Sequence, residues 1–305
     1  MKQQQEIYDC IVIGGGPGGL TAAEYLGRFL RKTLVIDSGH SRAALIPKTH
    51  NYPGFPEGIA GDVLLQKLRM QVRNLGVYFL NDSAIELKKE TDGTFIVLTS
   101  GFSFKSHTVI LATGIVDEKP HIPGLENFIF SGVIRFCPIC DGFEAMDKRV
   151  GIIGPYSRIY SKARFLRTYT NQIYLFPVGL YDCNKIEGGD LGSLGISVPE
   201  KAVQRIIVGD DGVTGIWDDG TQCNADVLYP AMGASVRLDF LKNLQLSVND
   251  NGCVYTDNHQ RTDVENLYAI GDITLDLSQI SVAIGQAAIA ATSIHNTLPL
   301  NCRTS

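Results

Sequence analysis

The chain has 305 residues, a formal net charge of −5 and seven cysteines. At about 150 residues per domain, this length predicts about two domains. An apolar fraction of 44% with 19% charged residues is ordinary for globular proteins and excludes a disordered or fibrous chain. The mild acidity argues against a nucleic-acid-binding protein, and the odd cysteine count argues against a fully paired secreted scaffold. With no signal-peptide or membrane pattern, we expect a cytoplasmic protein.

A glycine-rich motif follows the first predicted strand. Residues 7–13 read as a buried strand, and a helical pattern follows over 20–30. Gly14, Gly16 and Gly19 match G-x-G-x-x-G, in which missing side chains let a pyrophosphate and the helix approach the backbone. A second strand over 33–36 ends at Asp37, where a carboxylate is expected to hold an adenosine ribose. Together these elements predict a dinucleotide site.

A C-x-x-C pair stands in the middle of the chain. Cys137 and Cys140 are followed directly by Asp141, a side chain placed to move a proton during thiol–disulfide exchange. The alternative is half of a zinc site, but the other cysteines are isolated and no histidine lies close by. We therefore predict a catalytic redox pair and no metal.

Four separated motifs resemble low-molecular-weight thioredoxin reductases. They are C-P-I-C-D-G at 137–142, N-Y-P-G-F-P-E-G at 51–58, L-A-T-G at 111–114 and A-I-G-D at 269–272, with a helix over 279–291. The resemblance implies an α/β fold of two Rossmann-like, three-layer domains in a homodimer. An FAD domain would span 1–117 and 241–305, with a smaller NADPH-binding-like domain inserted at 118–240.

The resemblance also assigns roles to single residues. Cys140 would face the flavin and Cys137 would attack the disulfide of a thioredoxin-like partner. Asp272 would bind the ribityl chain, and the helix from about Ser281 would direct its positive end at the isoalloxazine. The FAD-binding residues would be Gly14, Gly16, Pro17, Gly18, Gly19, Asp37, Ser38, Asn51, Ala112, Thr113, Gly114, Gly271, Asp272, Gln279, Ile280 and Ser281.

The inserted region departs from the family where NADPH should bind. A strand is predicted over 149–153, but Pro155 and Tyr156 replace the next two glycines after Gly154, and Ile159 replaces the small helical residue. After the following strand, over 173–176, residues 177–180 read Pro-Val-Gly-Leu in place of the family's arginine cluster. Both departures predict that NADPH is not used productively; the alternative is a distorted site that binds a nicotinamide weakly.

An acid-free run suggests a different electron donor. Residues 148–181 contain no Asp or Glu, while the basic residues there are Lys148, Arg149, Arg158, Lys162, Arg164 and Arg167. Such a patch predicts docking of an acidic carrier such as ferredoxin, although a solvated helix face explains it as well. Tyrosines 156, 160, 169, 174 and 181 in the same run would cover a vacated nicotinamide pocket or pack in the core.

The leading hypothesis is an FAD-dependent disulfide reductase that passes electrons from a non-nicotinamide donor to Cys137–Cys140 and on to a thioredoxin-like disulfide. One alternative is a dithiol oxidase that passes electrons to oxygen, but such relatives tend to carry His where this chain has Asp141. The others are an NADPH-dependent reductase with an atypical nucleotide site and a non-catalytic flavin sensor. The five remaining cysteines are expected to be bystanders, with Cys10 in the core.

Overall fold

The structure, a computed structural model, describes residues 7–179 and 191–302. The chain divides into two compact units. The first comprises the described parts of Met1–Ala44, Asp62–Val116 and Ser235–Ser305, and the second comprises those of Leu45–Gly61 and Asp117–Ala234. Within the described ranges, no helix combines the length and apolar character needed to cross a bilayer.

Both units combine strands and helices, as expected for an α/β protein. In chain order they are β1 (Ile7–Ile13), α1 (Pro17–Arg28), β2 (Thr33–Ile36), α2 (Gly61–Arg73), β3 (Tyr78–Leu80), β4 (Glu86–Lys89), β5 (Phe95–Leu98), β6 (Ser103–Leu111), β7 (Ile115–Asp117), α3 (Leu125–Phe130), α4 (Pro138–Asp141), β8 (Val150–Pro155), α5 (Tyr156–Leu166), β9 (Ile173–Val178), β10 (Arg205–Gly209), β11 (Gly212–Ile216), β12 (Gln222–Ala225), β13 (Val227–Pro230), β14 (Ala234–Val236), β15 (Leu267–Ala269) and α6 (Ile280–Thr297).

A seven-stranded sheet forms the centre of the first unit. Its order is β3-β2-β1-β6-β5-β4, and β15 pairs with the end of β6. Strand β1 runs parallel to both β2 and β6, with Ile13 opposite Ile36 and Leu111. Because the register aligns these strand ends, the segments that follow them emerge at one edge of the sheet. Ile11, Val35 and Val109 in these strands are fully buried.

The second unit contains two small three-stranded sheets. Strand β8 lies between β9 and β13, all parallel, and β10, β11 and β12 form an antiparallel sheet. Helix α5 contributes Ile159 and Ala163 to the core that includes Val150 and Ile152. Two of the four boundaries between the units fall within β7 and β14, which pair as a two-stranded sheet, and the other two flank Leu45–Gly61.

The predicted strands are confirmed, whereas the predicted limits of the first helix are wrong. Strands β1 and β2 have the predicted bounds, and β8 and β9 extend two residues beyond theirs. Helix α1 begins at Pro17 because proline lacks the N–H that a first-turn residue cannot pair. It ends at Arg28, since Leu30 has a φ of 58° and leaves the helical conformation.

The first strand–helix turn depends on two glycines. Gly14 has a φ of +115°, and a Cβ there would overlap the carbonyl of Ala112 at the end of β6. A Cβ at Gly19 would overlap the carbonyl of Gly14, so α1 lies directly on the turn. The predicted roles of the first and third glycines, a tight turn and close helix–strand packing, are confirmed by this geometry.

Substituting Gly14→Ala should destabilise the protein by at least about 3 kcal/mol, because the left-handed backbone and the overlap with Ala112 act together. Gly76→Ala is the matched control. Gly76 has a φ of +72° but nothing within 4 Å of the added Cβ, so only the backbone cost of about 1 kcal/mol applies. Thermal and denaturant unfolding of both variants measures the difference; equal losses would contradict the packing role of Gly14.

Candidate functional site

Three strand ends place predicted cofactor residues at one edge of the first unit's sheet. Gly14–Gly16 link β1 to α1, Asp37 and Ser38 follow β2, and Ala112–Gly114 follow β6. The hydroxyl of Thr113 is buried and has no hydrogen-bond partner within the described residues. A buried hydroxyl without a partner beside a bare glycine turn fits a polar ligand at this edge.

The start of α6 lies against the same turn. A Cβ at Gly18 in α1 would lie 3.3 Å from the Cβ of Ala283, so the two helices touch through small residues. The backbone N–H of Gly271 donates to the side chain of Gln286 over 2.6 Å, which ties the preceding loop to α6. Gln279 caps α6 and donates its backbone N–H to the carbonyl of Leu277, and Ile280 and Ser281 begin the first turn of the helix. This positive helix end is suited to an electron-rich group.

The two acidic residues predicted to hold FAD hydroxyls are both paired with arginines. Asp37 accepts from Arg69 over 2.8 Å, and Asp272 accepts from Arg42 over 3.1 Å. No motif in the sequence marks these arginines, and they were not predicted. The bare turn, the buried Thr113 hydroxyl and the two carboxylates together fit a dinucleotide such as FAD.

Asn51 belongs to the segment that groups with the second unit. Its side chain accepts a hydrogen bond from the hydroxyl of Thr49 over 2.8 Å. The role of Asn51 in FAD binding stays a prediction, as do the individual roles of the other cofactor residues.

Cys137 and Cys140 form a disulfide in the second unit. Pro138 begins α4, and the Sγ of Cys137 accepts a hydrogen bond from the backbone N–H of Cys140 over 3.2 Å. This bond would stabilise a thiolate on Cys137 after reduction, as its predicted role as the attacking sulfur requires. In the disulfide form neither sulfur is a thiolate that could bind zinc.

Asp141 lies in a half-buried environment behind the disulfide. Burial raises the pKa of its carboxyl to about 6, against the opposing effects of the Arg135 guanidinium and a hydrogen bond from Tyr229. The Tyr229 hydroxyl lies 2.8 Å from Oδ1, and Nη1 of Arg135 lies 3.8 Å from Oδ2. A carboxyl with this pKa exchanges protons near neutral pH, as a general acid or base must.

The contacts of three residues around Asp141 were not predicted from the sequence. Arg135 and Tyr229 were not singled out, although a tyrosine in a buried strand needs a partner for its hydroxyl. Lys162 was predicted only as part of the basic patch, and its contacts beside Asp141 were missed. The Lys162 ammonium donates to the backbone carbonyls of Phe136 and Pro230 and lowers the pKa of Asp141.

The second strand–helix turn has a different construction from the first. Strand β8 ends at Pro155 and α5 begins at Tyr156, so no loop separates them. The Tyr156 side chain is 3% exposed and donates to the carbonyl of Pro199 over 2.9 Å. Ile159 is buried in the core. The positions that bare glycines would occupy in a nucleotide loop are therefore filled by packed side chains.

Arg158 covers the neighbouring backbone. Its guanidinium donates to the carbonyl of Met232, pairs with Glu118 at 3.8 Å and occupies the space where Gly233 would carry a Cβ. The Arg158 cation at this end of β13 therefore donates to a carbonyl of the protein itself. The side chain stands where backbone contact with a pyrophosphate would be needed.

Most of the basic residues predicted to form a docking patch have internal partners. Arg149 pairs with Asp226, and Arg167 donates to the carbonyls of Leu194 and Thr170. Arg164 is exposed, and the side chain of Arg158 is half exposed. Leu180 and Tyr181, which closed the predicted stretch, lie outside the described residues.

The other cysteines in the described part of the chain are free: Cys10, Cys223, Cys253 and Cys302. Cys10 is fully buried, and burial raises the pKa of its thiol to about 12, as expected of a core residue. Cys183 lies outside the described residues. Nothing in these positions adds a second redox pair among the residues that the structure describes.

Comparisons with known proteins agree with the site. Residues 8–155 and 181–287 match the family model described as pyridine nucleotide-disulphide oxidoreductase. A thioredoxin reductase of Aquifex aeolicus is 28% identical over 98% of this chain and 95% of its own length. A "34.2 kDa protein in rubredoxin operon" of Clostridium pasteurianum is 27% identical over 95% of this chain and 97% of its own length.

A solved structure shares the fold. The thioredoxin reductase from Streptococcus pyogenes superposes with a TM-score of 0.84 at 24% identity, covering 95% of this chain and 97% of that one. The family match spans most of the chain, including the glycine turn and the disulfide. The chain belongs to the pyridine nucleotide-disulphide oxidoreductase family, as a flavin-dependent disulfide reductase of the thioredoxin reductase type.

Proposed function

We propose that this protein reduces a thioredoxin-like disulfide through Cys137 and Cys140, with electrons that come from a donor other than NADPH. The observation that carries the proposal is the contrast between the two strand–helix turns. The turn at Gly14 is bare, whereas the turn at Tyr156 is filled by side chains that bond to Pro199 and Met232.

FAD, when bound, supplies the change between two-electron and one-electron chemistry that such a reductase needs. The chain's own residues hold it through the bare turn at Gly14, the Thr113 hydroxyl and the Asp37 and Asp272 carboxylates. Cys140 is the sulfur assigned to the flavin side, and Cys137 is the sulfur assigned to the partner. These assignments rest on the resemblance to the family and on the order of the two cysteines.

Reduction of a disulfide to two thiols takes up two electrons and two protons. The Cys137 thiolate attacks one sulfur of the partner disulfide, and the other partner sulfur leaves with the electron pair and takes a proton. The Cys140 thiol then loses its proton and attacks Cys137, which releases the second partner thiol. Asp141 is the base that accepts the proton of Cys140 in this direction and passes it to the partner sulfur that Cys137 releases, while the first partner sulfur takes its proton from solvent. When Cys137–Cys140 is next reduced, Asp141, reprotonated from solvent, donates a proton to the cysteine thiolate that forms.

An acidic one-electron carrier of the ferredoxin class is the proposed donor. Arg158 and Arg164 are exposed cations in a stretch without acidic residues, and they would attract such a carrier. A relative named for its place in a rubredoxin operon supports a small redox protein as the donor. Because Lys162, Arg149, Arg167 and Arg158 all have internal partners, the proposal rests mainly on Arg164 as the steering charge.

Anaerobic reduction of the FAD-loaded protein distinguishes the donors. We expect dithionite-reduced ferredoxin to bleach the flavin absorbance within the time of one catalytic turnover. Micromolar NADPH should leave the flavin oxidised. Rapid bleaching by NADPH would contradict the proposal and identify an NADPH-dependent reductase with an atypical site. Hydrogen peroxide release on addition of a small dithiol would instead identify a dithiol oxidase.

Charge reversal tests the docking surface. Arg164→Glu should slow reduction by ferredoxin and flatten its salt dependence, because a steering charge is removed. Arg205→Glu, at an exposed position on β10, is the matched control and should leave both unchanged. An equal effect of the two substitutions would show that only net charge matters and would overturn this docking site.

The pH dependence of dithiol oxidation should report Asp141. Since the pKa of Asp141 is raised to about 6, the base form increases as pH rises through 6, and the rate should rise with it. Asp141→Asn should abolish this rise in rate with pH, here called the kinetic limb, and lower the single-turnover rate about 10²-fold. Asp147→Asn, an exposed carboxyl of the same segment, is the control. A limb that persists in Asp141→Asn would contradict the assignment.

A further inference from the structure

A tyrosine from a strand distant in sequence makes two hydrogen-bond contacts with Asp141, next to the redox pair. Tyr229 lies in β13, is fully buried and stands 88 residues from Asp141 in sequence. Its hydroxyl oxygen lies 2.8 Å from the carboxyl Oδ1 of Asp141 and 3.1 Å from the backbone carbonyl of the same residue. One O–H group therefore has two acceptors within reach, one that titrates and one that does not.

We propose that Tyr229 is a positioning residue that holds Asp141 in both of its protonation states by turning a single hydroxyl between these two acceptors. With the carboxyl ionised, the Tyr229 O–H donates to Oδ1. With the carboxyl protonated, the new carboxyl O–H donates to the phenol oxygen, and the Tyr229 O–H turns to the carbonyl of Asp141. Each state is then hydrogen-bonded, so the carboxyl gains and loses its proton without leaving a buried polar atom unpaired.

The surroundings support this role. Burial and the neighbouring Asp141 carboxyl raise the pKa of Tyr229 far above its usual value, so the phenol remains a neutral donor throughout the working pH range. Three other charged groups face Asp141: Arg135, which lowers the pKa of the carboxyl, Glu144, which raises it, and Lys162, which lowers it. Arg135 is itself held by a bond to the carbonyl of Gly132, and Lys162 by bonds to two carbonyls. Among these neighbours of Asp141, Tyr229 is the one proposed to rotate its hydroxyl between the carboxyl and the backbone carbonyl of Asp141.

The proton balance is simple. When a cysteine thiolate takes the proton of Asp141, one carboxyl O–H bond breaks and one S–H bond forms, and the negative charge moves from sulfur to the carboxylate. Turning of the Tyr229 hydroxyl toward Oδ1 stabilises that charge where it arrives. This inference rests on the proposed role of Asp141 as the proton carrier of the redox pair.

Tyr229→Phe removes the hydroxyl and keeps the ring in the core. Because bonds to a charged acceptor are stronger than bonds to a neutral one, the ionised carboxyl loses more than the protonated one. The midpoint of Asp141 titration should therefore rise by about one pH unit. Tyr174→Phe, in strand β9 of the same sheet, is the matched control and should not move it. The readouts are the carboxyl carbon resonance of Asp141 in the oxidised protein and the pH profile of dithiol oxidation.

An unchanged midpoint in Tyr229→Phe would overturn the proposal. A measurement on the unaltered protein guards against a variant that does not fold. The phenol carbon of Tyr229, labelled with carbon-13, should shift with the same midpoint as the Asp141 carboxyl, whereas that of Tyr174 should not. A Tyr229 phenol-carbon resonance that does not change with pH would also overturn the inference. If Asp141 titrates with Tyr229 but Asp141→Asn keeps the kinetic limb, the proposed catalytic role fails while the coupling of the two residues stands.

Discussion

The bare backbone at the first strand–helix turn is the constraint on which the structure of the first unit depends. Gly14 and Gly19 leave no room for a Cβ against the carbonyls of Ala112 and Gly14, so β1, β6 and α1 meet at backbone distance. Helix α6 then reaches the same place through Gly18 and Ala283. Only this close approach exposes N–H groups at a helix start to a phosphate, and it also aligns the strand ends that carry Asp37 and Thr113.

The second unit has the same strand–helix–strand arrangement without that constraint. Here β8 passes directly into α5, Tyr156 is anchored to Pro199, and Arg158 holds the carbonyl of Met232. These side chains hydrogen-bond to backbone carbonyls and fill the space that a nucleotide would occupy in a family member with a bare glycine loop. The strand–helix–strand fold is the same, but side chains cover the backbone that a pyrophosphate would contact. The disulfide and Asp141 lie in this unit with the hydrogen bonds described above.

Sequence alone predicted the features that are local. A strand, a glycine turn and a helix lie within thirty residues of each other, and the C-x-x-C pair closes its own disulfide, so short-range spacing was sufficient. The contacts of Asp141 could not be predicted this way, because Tyr229 arrives from β13 only through the parallel register with β8. The partners of Lys162 were missed for a related reason. A helical wheel places it beside Arg158, but the long side chain turns inward to two carbonyls that no periodicity reveals.

The central claim is that covered backbone at the second turn excludes NADPH from productive use. Crystals of the oxidised, FAD-loaded protein soaked with NADPH at a large excess test it most directly, through the electron density beside residues 154–158. The account predicts no ordered nucleotide there, with Tyr156 still bonded to Pro199 and Arg158 to Met232. A pyrophosphate seated on the start of α5, with either side chain displaced, would contradict it.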